Sequence, residues 1–311
     1  MPNIKHVFTS AKTDGADATL VQPSNWNDEH TVDQYLDIPD VATPAAPSAG
    51  NLRIFAKNRA NRATLNTIGP AGIDVAYQPA FFGNTIIMWM PSGTTAQTAI
   101  GTTYTARNVG TAAAQATPAR ASTNAMTSLS RAQFGTGTTA TGASGTQTTS
   151  TVAWRGNAAG LGGFFFNARF GVETTAADLR MMVGLSANNA AMAADGSTWA
   201  NTVAIVKDTA DSTWQIATRN ASTLTKTATG CTVTAGQVLD LYIFAAPNNS
   251  ATIYVRLVDA VTGTIFMDDV AITSNLPVNT TFLYMQAHCM SVTGTTAKIL
   301  SLNKMYLEQD L

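Results

Sequence analysis

ATIYVRLVD, residues 251–259, decides the fold. Ile253, Val255 and Leu257 point one way along an extended chain, while Thr252, Tyr254 and Arg256 point the other. Side chains alternate between the faces of a strand, so this pattern describes a strand with one buried and one wet face. The same period recurs on both sides of it. In GQVLDLYIFA (236–245), Leu239, Leu241 and Ile243 oppose Asp240 and Tyr242. In GFFFNARFGV (163–172), Phe164, Phe166, Ala168 and Phe170 share a face, with Asn167 and Arg169 opposite. LRMMVGLS (179–186), STWQIATRN (212–220), TTFLYMQAH (280–288) and AKILSLNKMYLE (297–308) behave similarly. Turn clusters such as ETTAAD, KDTADST, TATG, APNNS and AVTG separate these runs. Helical periodicity is scarce. The pattern predicts a mainly β protein whose residues 91–311 form an antiparallel β-sandwich of jelly-roll or lectin-like type. TGTTATGASGTQTTS (136–150) is low in complexity and reads as a long surface loop inside this zone.

Two further zones precede the sandwich. Residues 1–50 carry the turn signals DGAD and PSNW, then Pro39, Pro44 and Pro47. Proline fixes φ and removes a donor, so this zone reads as an extended segment and linker that orders only against a neighbour. Residues 51–90 read as a connecting region, with Arg53, Lys57, Arg59 and Arg62 close together, a Pro/Gly turn in GPAGIDVAYQP and a strand in FFGNTIIMWMP. The basic cluster has two readings, a polyanion site or a polar face between subunits.

Composition narrows the function classes. Hydrophobic residues make up 45% of the 311, enough for a sizeable core, and charged residues only 12%. The usual charged share is about twice that. A neutral surface rich in Thr, Ser, Asn and Gly suits sugars or repeated contacts between copies. With a net charge of −1 and scattered Lys and Arg, it offers no dense basic patch for nucleic acid. The N-terminal MPNIKHVFTS lacks the apolar core of a signal peptide, and no run reaches the ~18 apolar residues of a membrane span. The expectation is a chain made in a cytoplasm, with no nucleic acid partner and no membrane insertion. Two cysteines, Cys231 and Cys289, could pair but make no disulfide framework, and read first as buried free thiols.

Chemistry-bearing motifs are sparse. Only His6, His30 and His288 are present, and no metalloprotease, dithiol, nucleophile-elbow or P-loop pattern occurs. GLGG (160–163) leads into a strand and so makes no phosphate-cradling helix start. Asp14 and Asp17 read as a turn rather than a cation site, and Asp268 with Asp269 as a solvated turn. Glu173, Asp178, Asp240 and Asp259 stay open as a hydrolytic pair, with nothing favouring them. Trp154, Trp199 and Trp214 read as core or as sugar platforms. No catalytic residue, metal or cofactor is expected.

Several blocks, in one order along nearly the whole chain, resemble a family of tailed-bacteriophage virion proteins described as tail-fibre, head-fibre or minor structural proteins. They are DATLVQPSNWNDEH (17–30), RIFAKNRANRATLNTIGPAGIDVAYQPAFFGNTIIMW (53–89), TYTARNVGT (103–111), GLGGFFFNARFGV (160–172), RMMVGLSA (180–187), LPVNTTFL (276–283) and NKMYLEQDL (303–311). The resemblance implies a homotrimeric fibre in the virion, docked by its N-terminus on a tail or neck adaptor, a portal-associated protein or the capsid, with its β-rich part facing outward. It carries no catalytic motif. In that setting Phe8, Leu20, Asn25, Trp26, Asn27 and His30 are the docking candidates. Ile54, Phe55, Leu65, Ile68, Phe81, Phe82 and Trp89 are candidates for threefold contacts, and Trp199 and Tyr254 for a host glycan. A purely structural decoration and a fibre-borne polysaccharide depolymerase remain as alternatives.

Overall fold

The computed structural model describes residues 13, 15, 16, 37–76, 85–91, 99–109, 113–158, 161–174, 177–247, 251–294 and 296–309. Three short strands come first: β1 (Arg53–Arg59), β2 (Arg62–Ile68) and β3 (Asp74–Ala76). Next are β4 (Thr85–Trp89), β5 (Ala99–Ile100), β6 (Tyr104–Ala106), β7 (Ala113–Ala116), β8 (Ala132–Gly135) and β9 (Ala143–Thr148). The long strands are β10 (Phe164–Thr174), β11 (Leu179–Ser186), β12 (Thr202–Lys207), β13 (Thr213–Arg219) and β14 (Leu224–Thr232). They continue through β15 (Leu239–Ala245), β16 (Ile253–Asp259), β17 (Ile265–Ile272), β18 (Tyr284–Ser291) and β19 (Ile299–Gln309).

These strands make an antiparallel β-sandwich and a small accessory sheet. One large sheet runs β17-β16-β15-β10-β19-β4-β5, with β7 and β8 attached beside β19. The other runs β14-β13-β12-β11-β18-β9-β6. The alternation read from the sequence sets which side chains meet between them. Phe164, Phe166, Phe170, Leu241, Ile243, Val255 and Leu257 of one sheet meet Met181, Val183, Ile205, Trp214 and Ile216 of the other. Phe170 and Trp214 join the sheets edge to face, 5.4 Å apart. Each such side chain contributes about 1.5–3 kcal/mol by leaving water.

Three expectations change. First, 136–150 is not simply a surface loop. Ala143–Thr148 is β9, buried along its whole length and paired with β18. Its small, polar residues hide the strand from a hydrophobicity reading, yet the crowding demands them. A Cβ on Gly145 would lie 2.3 Å from His288 Nδ1 and 2.6 Å from the Ala287 carbonyl. Second, Thr85–Trp89 belongs to the large sheet through β19, so the sandwich begins before residue 91. Third, Asp268 and Asp269 lie within β17 rather than in a free turn, and Arg256 holds both.

The accessory sheet, order β1-β2-β3, stands on the outer face of the nine-stranded sheet. Its first hairpin turns on Ala60 and Asn61, with φ of 54° and 58°. Two successive positive φ values match the twist of the flanking strands, as in a type I′ turn. The Ala60 N–H donates to Asp269 Oδ1 at 2.6 Å, which anchors the turn to β17. Upstream, the described residues 37–50 form no strand beyond an isolated parallel bridge between Asp40 and Ala56, in keeping with the prolines. Side-chain hydrogen bonds from Arg53 to the Ala45 carbonyl and from Lys57 to Thr43 tie them to β1.

Candidate functional site

Between the accessory sheet and the sandwich lies a cleft. Its two adjoining cavities measure about 370 Å3 and about 480 Å3 and share Arg59, Asp74, Arg169 and Tyr242. The floor is the outward face of β10, β15, β16 and β19: Asn167, Arg169, Tyr242, Arg256, Lys304 and Tyr306. A bulge in β19 aims the last two. Leu302 pairs with Phe170 and Lys304 with Arg169, so Asn303 is the extra residue and the strand changes phase there. Leu302 and Met305 both enter the core, and Lys304 and Tyr306 turn outward. The wall comes from β1 and β3, through Arg59, Lys57 and Asp74.

Ion pairs hold this arrangement. Arg62 grips Glu308 with two hydrogen bonds of 2.9 and 2.6 Å, and Glu308 is fully buried. The Arg62 guanidinium also lies over the Phe165 ring, 4.9 Å from its centre. Asp74 accepts from Lys57 at 2.5 Å and from Arg59 at 3.2 Å. Burial acts to raise the Asp74 pKa, but the Lys57 hydrogen bond and the two cations outweigh it and leave it low. Arg169 donates twice to Asp240, at 2.8 and 2.7 Å, and Arg256 reaches Asp268 at 2.6 Å. Burial pushes the Tyr242 hydroxyl up to about 12, so it stays protonated and able to donate.

Lys304 differs from the other cations. It has no hydrogen-bond or ion-pair partner among the described residues, and burial lowers its pKa. Arg169 stands directly across the strand pair from it; the Asp240 carboxylate acts to raise the Lys304 pKa, while Arg169 and Arg59 act to lower it.

The opposite outer face, on the seven-stranded sheet, is closed. Met182, Ala204, Val206, Ala217 and Met290 form a second apolar cluster there, covered by Met192 and Trp199 from the segment 187–201. Buried amides pin that segment: Gln147 Nε2 donates to the Asn188 carbonyl at 3.1 Å, and Arg107 Nε donates to Gln147 Oε1 at 3.0 Å. Arg107 also donates to Asn189 Oδ1. His288 is fully buried under the edge of Trp199, 5.3 Å between ring centres, with Nε2 against Gln286 Oε1. Burial pushes its pKa down to about 3, with Arg107 adding to the effect.

The docking candidates Phe8, Leu20, Asn25, Trp26, Asn27 and His30 lie outside the described residues, as do Phe81, Phe82, Asp14 and Asp17. Of the trimer candidates, Ile54 and Leu65 are 61% and 45% exposed on the outward face of the accessory sheet. Phe55, Ile68 and Trp89 are spent within the chain instead, at 4%, 2% and 0% exposure. Trp89 fills the sandwich core because it alternates with Met88 on a strand of the large sheet. The two glycan candidates do not converge. Trp199 is half-buried on the seven-stranded side, and Tyr254 sits on the outward face of β16, beside the cleft but not lining it. Trp214 is core, and Trp154 stacks on Phe282 at 5.2 Å.

The carboxylates left open for hydrolysis are all engaged. Arg131 holds Glu173 at 2.5 Å, and Arg169 holds Asp240. Lys298, itself fully buried, holds Asp178 at 2.9 Å. Asp259 accepts from Gln237 and from the N–H groups of Val261 and Thr262. For Glu173, Asp178 and Asp259, burial acts to raise the pKa, and the hydrogen bonds reverse it and leave each low. A general acid needs the opposite shift. Cys231 and Cys289 are free buried thiols, both pushed by burial up to about 12. Among the described residues no three His, Cys, Asp or Glu side chains gather as metal ligands, and no helix is long and apolar enough to cross a membrane.

Sequence reasoning placed Arg169, Asp240 and Tyr242 on outward faces but missed their convergence with Arg59, Lys304 and Tyr306. The available signal was alternation itself: the polar residues opposite the core positions of three strands line one surface once those strands are neighbours.

By architecture the chain is a two-sheet antiparallel β-sandwich with an accessory three-stranded sheet. A protein of unknown function from Shewanella oneidensis MR-1 shares this fold. It superposes with a TM-score of 0.51 at 9% identity, over 75% of this chain and 90% of that one. Arcelin-5, a lectin-like defense protein from Phaseolus vulgaris, gives 0.48 at 10% identity over 74% and 99%. Lectin II from Ulex europaeus gives 0.43 at 14% identity over 67% and 93%. No protein-family model and no curated protein matches the chain.

Proposed function

We propose that this chain is a structural fibre protein of a tailed-bacteriophage particle that adheres to host-surface glycans through the cleft between its accessory sheet and its sandwich. The observation that carries the reading is the cleft: a preformed cavity with aromatic and hydrogen-bonding groups converging in it, the form that small-ligand sites take. The ordered blocks resembling phage fibre proteins supply the setting, with residues 1–50 as the attachment segment and linker. A homotrimer is supported by the outward face of the accessory zone. Within the first 76 residues Ile38, Val41, Leu52, Ile54, Leu65 and Ile73 are all exposed, apolar surface that suits contact between copies. Three copies would raise weak binding at each cleft by avidity.

The test is a glycan array probed with the full chain displayed multivalently, after sedimentation has established its oligomeric state. Binding that Tyr242→Ala abolishes supports adhesion through the cleft. Silence across the array from a folded, multivalent protein overturns adhesion and favours decoration of the particle without receptor contact. A monomer at micromolar concentration overturns the trimer, and cryo-electron microscopy of the particle locates the chain or refutes its place there.

A further inference from the structure

The charges in the cleft do not balance. Its two cavities are lined by the cations Lys57, Arg59, Arg169, Arg256 and Lys304 and the carboxylates Asp74, Asp240 and Asp259. Each guanidinium, and Lys57, has a carboxylate in contact. The Lys304 ammonium has none among the described residues, and it faces Arg169 in register. Burial, Arg169 and Arg59 disfavour this ammonium, and the nearby Asp240, which favours it, is already held by Arg169 on both oxygens, so an anion from outside would add what Asp240 supplies only in part. Tyr242 and Tyr306 line the same cavity as Lys304, and their rings offer flat apolar faces with a polar tip.

We infer that the cleft binds an acidic sugar, with the carboxylate of a uronic-acid residue on Lys304 and the sugar ring against Tyr242 and Tyr306. This rests on the glycan-adhesion reading and names its ligand class. A ring and its neighbour fit cavities of this size, since ligand pockets run about 300–1,000 Å3. The single open cation matches a singly charged carboxylate. A doubly charged phosphate would call for a second free cation, and Arg169 is already committed to Asp240 on two nitrogens.

The experiment measures affinity of the full chain for three oligosaccharides of equal length, ending in glucuronic acid, glucose or glucose 6-phosphate. The glucuronate probe is expected to bind at least about tenfold tighter than the glucose probe, equivalent to about 1.4 kcal/mol. Lys304→Met should remove that preference and leave glucose binding within about twofold, and Lys304→Arg should restore it. If Lys304→Met does not fold, salt decides on the unaltered protein. Raising it to about 0.5 M should weaken the glucuronate probe and spare the glucose one. Equal binding of glucose and glucuronate, or a preference for phosphate, overturns the uronate assignment while adhesion stands. No binding of any of the three, together with a silent array, overturns adhesion itself.

Discussion

The two outer faces of the sandwich start from the same kind of strand and end differently. On the seven-stranded side, methionines and alanines point outward and the chain folds its own 187–201 segment over them, held by buried amides near His288 together with Arg107. On the nine-stranded side, arginines, tyrosines and lysine point outward, and the accessory sheet stands over them on the Arg62–Glu308 ion pair and the Ala60–Asp269 hydrogen bond. Apolar outward residues seal a face, because covering them removes area from water. Charged ones hold a cover at a distance, because desolvating them all would cost more than their pairing returns. The first face is therefore additional core and the second an opening.

That contrast can be broken at its supports. The largest effect is expected from Glu308→Ala, which strands Arg62 and should destabilise the protein by about 3 kcal/mol, as broken buried pairs do. Limited proteolysis should then cut within residues 51–76 before the sandwich. Simultaneous loss of both parts would mean that they are one cooperative unit. Next comes Gly145→Ala on the sealed side. Its methyl group would force β9 away from His288 at a cost of about 2 kcal/mol, read from the urea midpoint. An unchanged midpoint would show that β9 can shift away from His288 without cost.

Acid probes the sealed side more gently. The unfolded chain protonates His288 below its ordinary pKa of about 6.5, and the folded chain resists until about 3. The unfolded state thus binds more protons in that window, so stability falls as pH falls, by about 1.4 kcal/mol per pH unit from this group. His288→Gln should flatten the slope between pH 6.5 and 5, and an equal slope in the variant would reject the assignment. The smallest effect is that of Trp199→Ala. It should lower stability by about 1 kcal/mol while glycan binding stays within about twofold, because Trp199 covers the closed face. A large loss of binding would place a ligand site on that face.

How much of this was legible follows from which residues carry it. The alternation in Ile253–Leu257, Leu239–Ile243 and Phe164–Phe170 is local; β16 keeps it residue for residue, while on β10 and β15 the outward Phe165, Asn167 and Asp240 are buried as well. β9 was not legible, since Ala-Ser-Gly-Thr-Gln-Thr has neither bulk nor β-branched runs, and its strand state comes from the space beside β18. The Ala60–Asn61 turn lacked the Asn-Gly signature that usually announces such hairpins. Cleft residues on the sandwich were individually visible as outward-facing, but Arg59 and Lys304 are brought together by the packing of one sheet over another, which alternation does not encode. Trp89 was misjudged as a contact residue because a lone aromatic strand looks the same at an interface and in a core.

The position of β19 bears on how the protein is made. Residues 299–309 lie in the middle of the nine-stranded sheet, hydrogen-bonded to β10 on one side and to β4 and β8 on the other. Translation delivers them long after both neighbours. Until residue 309 clears the ribosome, β4 and β10 have no strand between them and their core faces stay open. The nascent chain therefore waits with unpaired edges, a state prone to sticking to other copies. Pairing across some two hundred residues of sequence also makes closure slow. Yield in a heterologous host should depend on chaperone capacity more than on the final stability of the fold.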